Sequence, residues 1–297
     1  MKKFFRNTLF FISSAALIFG VERLCHAATD GFTLTRVRSD FTFEPAYVTP
    51  SCEAALKEIF TQPFTYLSSG SQCYVFLSED KQTILKLFKN HRFGNIASLF
   101  DKKRKLKRIE SFHDTLTSCL FSHKEFRDET RVFYVHLGKT EDPALKAHLV
   151  DKLNIHHYLD LNSTQFHLQK CATSVPQYLL SLRKKGAHEE AKLALDALLD
   201  ISEKRALLGF NDKDPHLIHN FGFIDGQAVQ VDAVGFSPNK SRDKRRFYTK
   251  EILKIRAKVM PWLEENYPEI IPHVESQLTS FYDTPDHGPG TRRLTTH

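Results

Sequence analysis

Residues 211–236 read NDKDPHLIHNFGFIDGQAVQVDAVGF, a polar loop followed by a predicted hairpin. Two short apolar runs flank the dipeptide Asp225-Gly226, which favours a tight hairpin turn. Asp214 and Asn220 precede the predicted hairpin, and Asp232 ends its second strand. Two carboxylates and one amide therefore meet at one end of a small ribbon, and oxygen ligands of this kind suit Mg²⁺. Polar residues also surround hairpins that bind no metal, so the pattern alone leaves both interpretations open.

The same stretch resembles the catalytic loop, the following hairpin and the metal-binding Asp of the protein-kinase-like superfamily. The resemblance implies that Asp214 is the base facing an acceptor hydroxyl, and that Asn220 and Asp232 are ligands of Mg²⁺. Asp214 and Asp232 are 18 residues apart, a spacing that protein kinases commonly show. Two departures from the family pattern lie in this stretch. The His-Arg-Asp motif is absent before Asp214, and Asn220 follows that Asp by six residues where the family has five.

The N-terminal half of the chain holds residues that resemble parts of a nucleotide site, and they occur in the same order as in the family. Residues 67–75, LSSGSQCYV, resemble a degenerate glycine-rich loop in which only the middle glycine, Gly70, is kept. The resemblance implies that Gly70 and Ser71 approach the phosphates of ATP. It also implies that Lys86, in the third strand-like run, binds the α- and β-phosphates.

The resemblance also implies roles for residues on one long helix and at the hinge between two lobes. Glu110 belongs to a long predicted helix and is the expected partner of Lys86, with Glu125 or Glu129 as alternatives. Lys170 lies in the segment QKCA, which resembles the hinge between two lobes that receives the adenine. The resemblance covers residues 66–236, and it depends on the order and spacing of the motifs.

The pattern along the chain predicts an α+β class. Short β-rich runs with tight turns come first and are interrupted by one long helix; mostly helical periodicity follows residue 174. Strands are predicted at 64–67, 74–77, 83–88, 131–137, 148–153 and 165–169, and helices at 95–118, 175–184, 188–208, 247–267 and 270–281. With the resemblance, this order implies a two-lobed protein-kinase-like fold with a small β-rich N-lobe and a mostly helical C-lobe. The expected N-lobe is 64–171, the C-lobe 172–283, the N-terminal extension 28–63 and a flexible tail 284–297.

The N-terminus reads as an export signal over residues 1–27. Lys2, Lys3 and Arg6 precede an apolar stretch of 14 residues that ends at Val21, short of the roughly 20 residues that span a bilayer. Cleavage is expected after Ala27, with an uncleaved membrane anchor and a buried N-terminal helix as alternatives. We therefore expect export across a membrane, to a periplasm or to the outside of the cell, with delivery to a host cell or to a secretory lumen as further alternatives. Membrane contact is expected only through an uncleaved N-terminus.

The net charge and the positions of the cysteines and histidines bear on three features: a nucleic-acid partner, disulfides and a zinc site. The net charge of +7 falls to +4 without residues 1–27, which argues against a nucleic-acid partner. The cysteines beyond the signal, Cys52, Cys73, Cys119 and Cys171, permit two disulfides or buried free thiols. The histidine pairs at 156–157 and at 216 and 219 lack helical metal-ligand spacing or a third ligand, so no zinc site is predicted.

Two functions follow from the sequence. The first is an exported phosphotransferase that uses ATP and Mg²⁺ on a hydroxyl acceptor, either a protein or a small molecule. The alternative is a pseudokinase-type binding module without catalysis, favoured by the lost glycines, the shifted Asn and the low ATP content of extracytoplasmic spaces.

Overall fold

The computed structural model describes residues 2–38, 43, 46–50, 53–90, 102–232, 234–238 and 244–283. The chain divides into two compact units, one of Met1–Arg108 and Tyr134–Leu168 and the other of Ile109–Phe133 and Gln169–His297. The elements are, in chain order, α1 (Lys2–Thr29), α2 (Leu34–Val37), α3 (Glu53–Phe60), β1 (Phe64–Ser69), β2 (Cys73–Ser78), β3 (Thr83–Phe88), α4 (Lys102–Lys124), α5 (Arg127–Thr130), β4 (Val132–His136), β5 (Lys146–Val150), β6 (His156–Asp160), β7 (Phe166–Lys170), β8 (Thr173–Ser174), α6 (Val175–Lys184), α7 (His188–Leu207), β9 (Phe210–Asp212), α8 (Leu217–Asn220), β10 (Phe221–Ile224), β11 (Gln227–Gln230), β12 (Phe236–Pro238), α9 (Lys244–Asn266), a 3₁₀ turn (Pro268–Ile270) and α10 (Ile271–Asp283).

The first unit is built on a sheet with the strand order β4-β7-β3-β2-β1-β5-β6. The pairs β1–β2, β2–β3 and β5–β6 are antiparallel, whereas β1 and β5 run parallel. Tyr74 and Phe76 of β2 are buried on one face of this sheet. Phe32, from the segment after α1, packs edge-on against both rings at centroid distances of 5.2 Å. The N-terminal extension therefore supplies part of the core of this unit.

The second unit is mostly helical and has its own core. Its apolar side chains lie on α6, α7, α9 and α10 and on the β10–β11 hairpin. On α7 the buried positions recur at helical spacing, as at Leu195, Leu198 and Leu199, because one stripe of the helix faces the core. A short third strand, β8, pairs with β10.

The predicted α+β class, with a β-rich part followed by a mostly helical part, is confirmed. The elements that were not predicted include the helix α3, the strand β6 in a stretch where histidines and charges interrupt the apolar pattern, and several short helices and strands of two to four residues. The helix predicted at 95–118 continues further toward the C-terminus, since α4 ends at Lys124; residues 95–101 lie outside the described residues. The predicted tail 284–297 also lies outside them.

The N-terminal stretch read as an export signal is helical from Lys2 to Thr29. The helix ends where Asp30 and Gly31 adopt positive φ angles of 50° and 71°. Within the described part of the chain, no helix has both the length and the apolar character needed to cross a membrane. Among the same residues, Cys25, Cys73, Cys119 and Cys171 are not disulfide-bonded, whereas Cys52 is not described.

Candidate functional site

The hairpin predicted around Asp225-Gly226 is confirmed. Phe221 pairs with Gln230 and Ile224 with Gln227, in an antiparallel register without a bulge. Asp225 and Gly226 have φ angles of 49° and 78°, the left-handed values that a two-residue hairpin turn requires. The turn chemistry in the sequence therefore fixes the register of this ribbon, and with it the position of the residues at its open end.

Asn220 brings the ends of the stretch together. Its side-chain Nδ2 donates a hydrogen bond of 2.7 Å to the main-chain carbonyl of Asp214, which closes the loop 214–220. Its own carbonyl accepts hydrogen bonds from the backbone N–H groups of Val231, at 2.8 Å, and Asp232, at 3.2 Å. The three residues predicted from the motif, Asp214, Asn220 and Asp232, are thus joined by direct hydrogen bonds through one residue.

The oxygen atoms of Asn220 and Asp232 suit a hard divalent cation. Both side chains are half-buried, and the Asp232 carboxylate accepts a long contact of 3.5 Å from the Val234 N–H group. The described residues contain no group of three or more His, Cys, Asp or Glu side chains able to hold a metal. One amide and one carboxylate nevertheless fit Mg²⁺, which takes few protein ligands and completes its shell with water and phosphate oxygens.

A cluster of buried charged side chains, formed by Arg205, Asp212 and Glu251, adjoins the loop 214–220. Arg205 of α7 is fully buried and donates to the Gln230 Oε1 at 2.5 Å and to the Glu251 carboxylate of α9. The Asp212 Oδ2 lies 3.7 Å from the Arg205 Nη1 and accepts a hydrogen bond of 2.7 Å from the Gln230 Nε2. Burial raises the pKa of both carboxyls above their ordinary values, although the Arg205 charge opposes the shift.

Asp212 connects this cluster to the loop. Its Oδ1 accepts a hydrogen bond of 2.8 Å from the backbone N–H group of Asp214. Its own N–H group donates to the Glu251 Oε2 at 3.3 Å. The backbone of Asp214 is therefore held by the buried carboxyl groups of Asp212 and Glu251, which share the single buried arginine Arg205 as their cation.

The side chain of Asp214 points to solvent and is ion-paired with Lys258 of α9. The hydrogen bond and charge of Lys258 hold the pKa of the Asp214 carboxyl below its usual value. Nearby, His216 is half-buried, and burial lowers the pKa of its imidazole, with a further contribution from His219. Asp214 is thus a firmly ionised carboxylate on an exposed loop.

The predicted phosphate-binding residues lie in the first unit. Gly70 and Ser71 form the turn between β1 and β2, where the Gly70 N–H group bonds to the Cys73 carbonyl at 3.0 Å. Lys86 lies opposite Val75 in the β2–β3 ladder and is half-buried. Lys89, which the sequence did not single out, binds the turn directly: its Nζ is 2.6 Å from the Gly70 carbonyl.

The other predicted residues occupy the second unit. Glu110 and Glu125 are exposed, whereas Glu129 forms an ion pair with Lys204. Lys170 ends β7, where its N–H group donates to the Arg131 carbonyl at 3.1 Å and its ammonium lies 5.6 Å from the Phe133 ring centroid. The chain passes from the first unit to the second between residues 168 and 169, at the start of the segment predicted as a hinge.

The sequence interpretation missed the residues that support the loop: Arg205, Asp212, Gln230, Glu251 and Lys258. One signal was present for Arg205, because it continues the buried stripe of α7 through Leu198 and Ile201 at helical spacing. A charged residue on an apolar stripe predicts a buried partner, although the helix alone does not tell which residue that is.

No family model matches this sequence, and no curated protein matches it. Solved structures with partial similarity include the ROP18 kinase domain in complex with AMP-PNP and sucrose. That likeness has a TM-score of 0.39 and 12% identity, over 78% of this chain and 82% of that one. Rv3197 from Mycobacterium tuberculosis, in complex with erythromycin, has a TM-score of 0.33 and 13% identity, over 76% of this chain and 60% of that one. At this level of similarity, neither structure assigns a function to the chain.

Proposed function

We propose that the chain is a kinase-like phosphotransferase that moves the γ-phosphoryl group of ATP to a hydroxyl acceptor. The observation that carries the proposal is the Asn220 link, which joins the Asp214 carbonyl to the backbone of Asp232. This link keeps the solvent-facing carboxylate of Asp214 on the same loop and ribbon as the side chains of Asn220 and Asp232, and that proximity supports the proposed chemistry.

In this proposal, ATP would donate its γ-phosphoryl group and leave as ADP, and Asn220 and Asp232 would hold the Mg²⁺ that neutralises the charge of the phosphates. Asp214 would orient the acceptor hydroxyl and accept its proton. Lys86, Gly70 and Ser71 would bind the phosphates, Lys170 would lie at the adenine, and Glu110 would pair with Lys86. These last roles come from the sequence resemblance and stay predictions.

A thermal-shift experiment tests the nucleotide site. We expect Mg²⁺ and ATP together to raise the melting temperature of the full chain, by about 5–10 °C when ATP is at 100 times its Kd. Asp232→Asn should abolish the shift. Asp225→Asn is the matched control, because it makes the same charge change on the exposed hairpin turn, where Asn tolerates a positive φ. An equal shift in both variants would contradict the proposed metal ligand.

A second candidate is a binding module without turnover, and two observations favour it. The Lys89 ammonium binds both the Ser69 Oγ, at 2.5 Å, and the Gly70 carbonyl, so a protein cation already occupies the turn. Asp214 is likewise engaged by Lys258. Labelled γ-phosphate separates the two functions: transfer to any hydroxyl acceptor, lost in Asp214→Asn, supports the enzyme. A Mg²⁺-dependent melting shift with all label left on ATP supports the binding module.

We also propose that residues 1–27 direct export. The support is that Leu17 and Ile18 of α1 are about 70% exposed, so these apolar side chains add little to any core. Expression in a secreting host, followed by N-terminal sequencing, should give a mature chain that begins at Ala28. A full-length chain retained in the cytosol would contradict this.

A further inference from the structure

A pair of histidines lies on one face of the β5–β6 hairpin. In this ladder His148 is opposite Tyr158, and Val150 is opposite His156. Because side chains alternate along a strand, these four residues share one face of the sheet. The other face carries the buried Ala147, Leu149 and Leu159, so the histidine face is the one turned away from that part of the core.

The two imidazoles approach each other closely. The His148 Nε2 lies 2.8 Å from the His156 Nδ1, and the ring centroids are 5.0 Å apart. The Tyr158 ring stacks on His148 at 4.7 Å with an interplanar angle of 20°, which restricts the orientation of that ring. At 2.8 Å the two nitrogens share one proton, and at least one of them presents a lone pair to the other.

We propose that His148 and His156 form a binding site for a borderline divalent transition-metal ion such as Zn²⁺ or Cu²⁺. Neutral imidazole nitrogens are preferred ligands of these ions, and the metal would take the position of the shared proton. Zn–N bonds of 2.0–2.1 Å at a tetrahedral angle put the nitrogens about 3.3 Å apart. The pair therefore has to open by about 0.5 Å, which a rotation of the exposed His156 side chain provides.

The site is open, unlike a structural zinc site. The described chain contains no cluster of three or more His, Cys, Asp or Glu side chains, so two protein ligands are what it offers here. The remaining coordination positions are left to water or to a ligand carried by another molecule. Such a site can hold a metal that bridges the sheet to a partner molecule.

The strand pairing explains why the sequence did not reveal this site. His156 and His157 are adjacent, but alternation sends them to opposite faces of the sheet. The His157 Nε2 forms a hydrogen bond of 2.8 Å with the Asp151 Oδ2, and the ring packs edge-on against Phe32. The partner of His156 is instead His148, eight residues upstream on the neighbouring strand.

Calorimetric titration of the tag-free full chain with Zn²⁺ and Cu²⁺ tests the proposal. His148→Gln and His156→Gln should each weaken binding at this site at least tenfold, with Cu²⁺ binding more tightly than Zn²⁺ in the wild type. His113→Gln, on the exposed side of α4, is the matched control and should bind like the wild type. Melting in EDTA establishes that each variant is folded.

A second readout identifies the ligands directly. At one equivalent of Cu²⁺, electron paramagnetic resonance should show two coupled imidazole nitrogens in the wild type and in His113→Gln. One should remain in each of the other two variants. Equal isotherms and equal nitrogen couplings in all four proteins would overturn the proposal and leave the pair as a hydrogen bond only.

Discussion

The side-chain amide of Asn220 donates a hydrogen bond of 2.7 Å to the main-chain carbonyl of Asp214. The carbonyl of Asn220 in turn accepts the N–H group of Asp232. One residue thereby fixes the distance between the loop that carries the exposed carboxylate and the strand end that carries the predicted metal ligand. The proposed function depends on this link, and so does the expected Mg²⁺-ATP melting shift.

Asn220→Ala should open the loop and abolish the Mg²⁺-ATP melting shift. Without ligand, the loss of a partly exposed hydrogen bond should cost about 1 kcal/mol, or about 2–4 °C in melting temperature for a domain of this size. The adjacent, exposed His219→Ala serves as the control and should keep the shift. An intact shift in Asn220→Ala would show that the link is dispensable.

Arg205→Met should destabilise the second unit strongly, because it leaves the buried carboxyls of Asp212 and Glu251 without their cation. The expected loss is about 3–5 kcal/mol in unfolding free energy, measured by urea denaturation. Arg127→Met, which removes an exposed arginine from α5, should change stability by less than about 0.5 kcal/mol. Similar losses in the two variants would mean that the buried cluster is not held together by charge.

Glu251→Gln should flatten the pH dependence of stability. Burial raises the folded-state pKa of Glu251 above its ordinary 4.5, so folding favours the protonated carboxyl. The contribution of the protonated Glu251 carboxyl to the free energy of unfolding is complete at pH values below the ordinary pKa of 4.5. It is lost as the pH rises through the raised folded-state pKa. Glutamine cannot ionise, and urea midpoints taken from pH 4 upward should fall less steeply in the variant. Glu264→Gln, exposed on the same helix, should keep the wild-type slope.

Lys258→Met should raise the pKa of Asp214. The hydrogen bond and charge of Lys258 are the main cause of its lowered value, so the carboxyl should titrate closer to its ordinary 3.8 once they are removed. Carbon-detected NMR of the side-chain carboxyl measures this titration without any assay of activity. Lys254→Met, on an exposed position of the same helix, should leave it unchanged. The ion pair is refuted if the two variants titrate alike.

Phe32→Ala should destabilise the first unit by about 3–5 kcal/mol, because the ring is only 4% exposed and packs against Tyr74 and Phe76. Ile155→Ala removes an apolar side chain that is 51% exposed in the same unit and should cost far less. Thermal melting of both variants measures the difference. Equal melting temperatures would show that the segment after α1 is not part of the core.

The sequence alone determined the features that local chemistry controls. The Asp225-Gly226 turn set the β10–β11 register, because positive φ angles at both positions match the twist of a two-residue hairpin. The short β-rich runs and the helical periodicity after residue 174 determined the α+β order. Asp214, Asn220 and Asp232 could be grouped because the hairpin folds them together within a short stretch of chain.

Only the tertiary structure decided which distant residues support that group. Arg205, Glu251 and Lys258 come from two helices, and their meeting with Asp212 and Asp214 depends on how those helices pack. The partner of His156 likewise depended on the pairing of β5 with β6, where a shift of one residue would have sent the ring to the other face. Burial in the folded core decides which distant charges pair and which register two strands adopt. A local sequence pattern does not encode either choice.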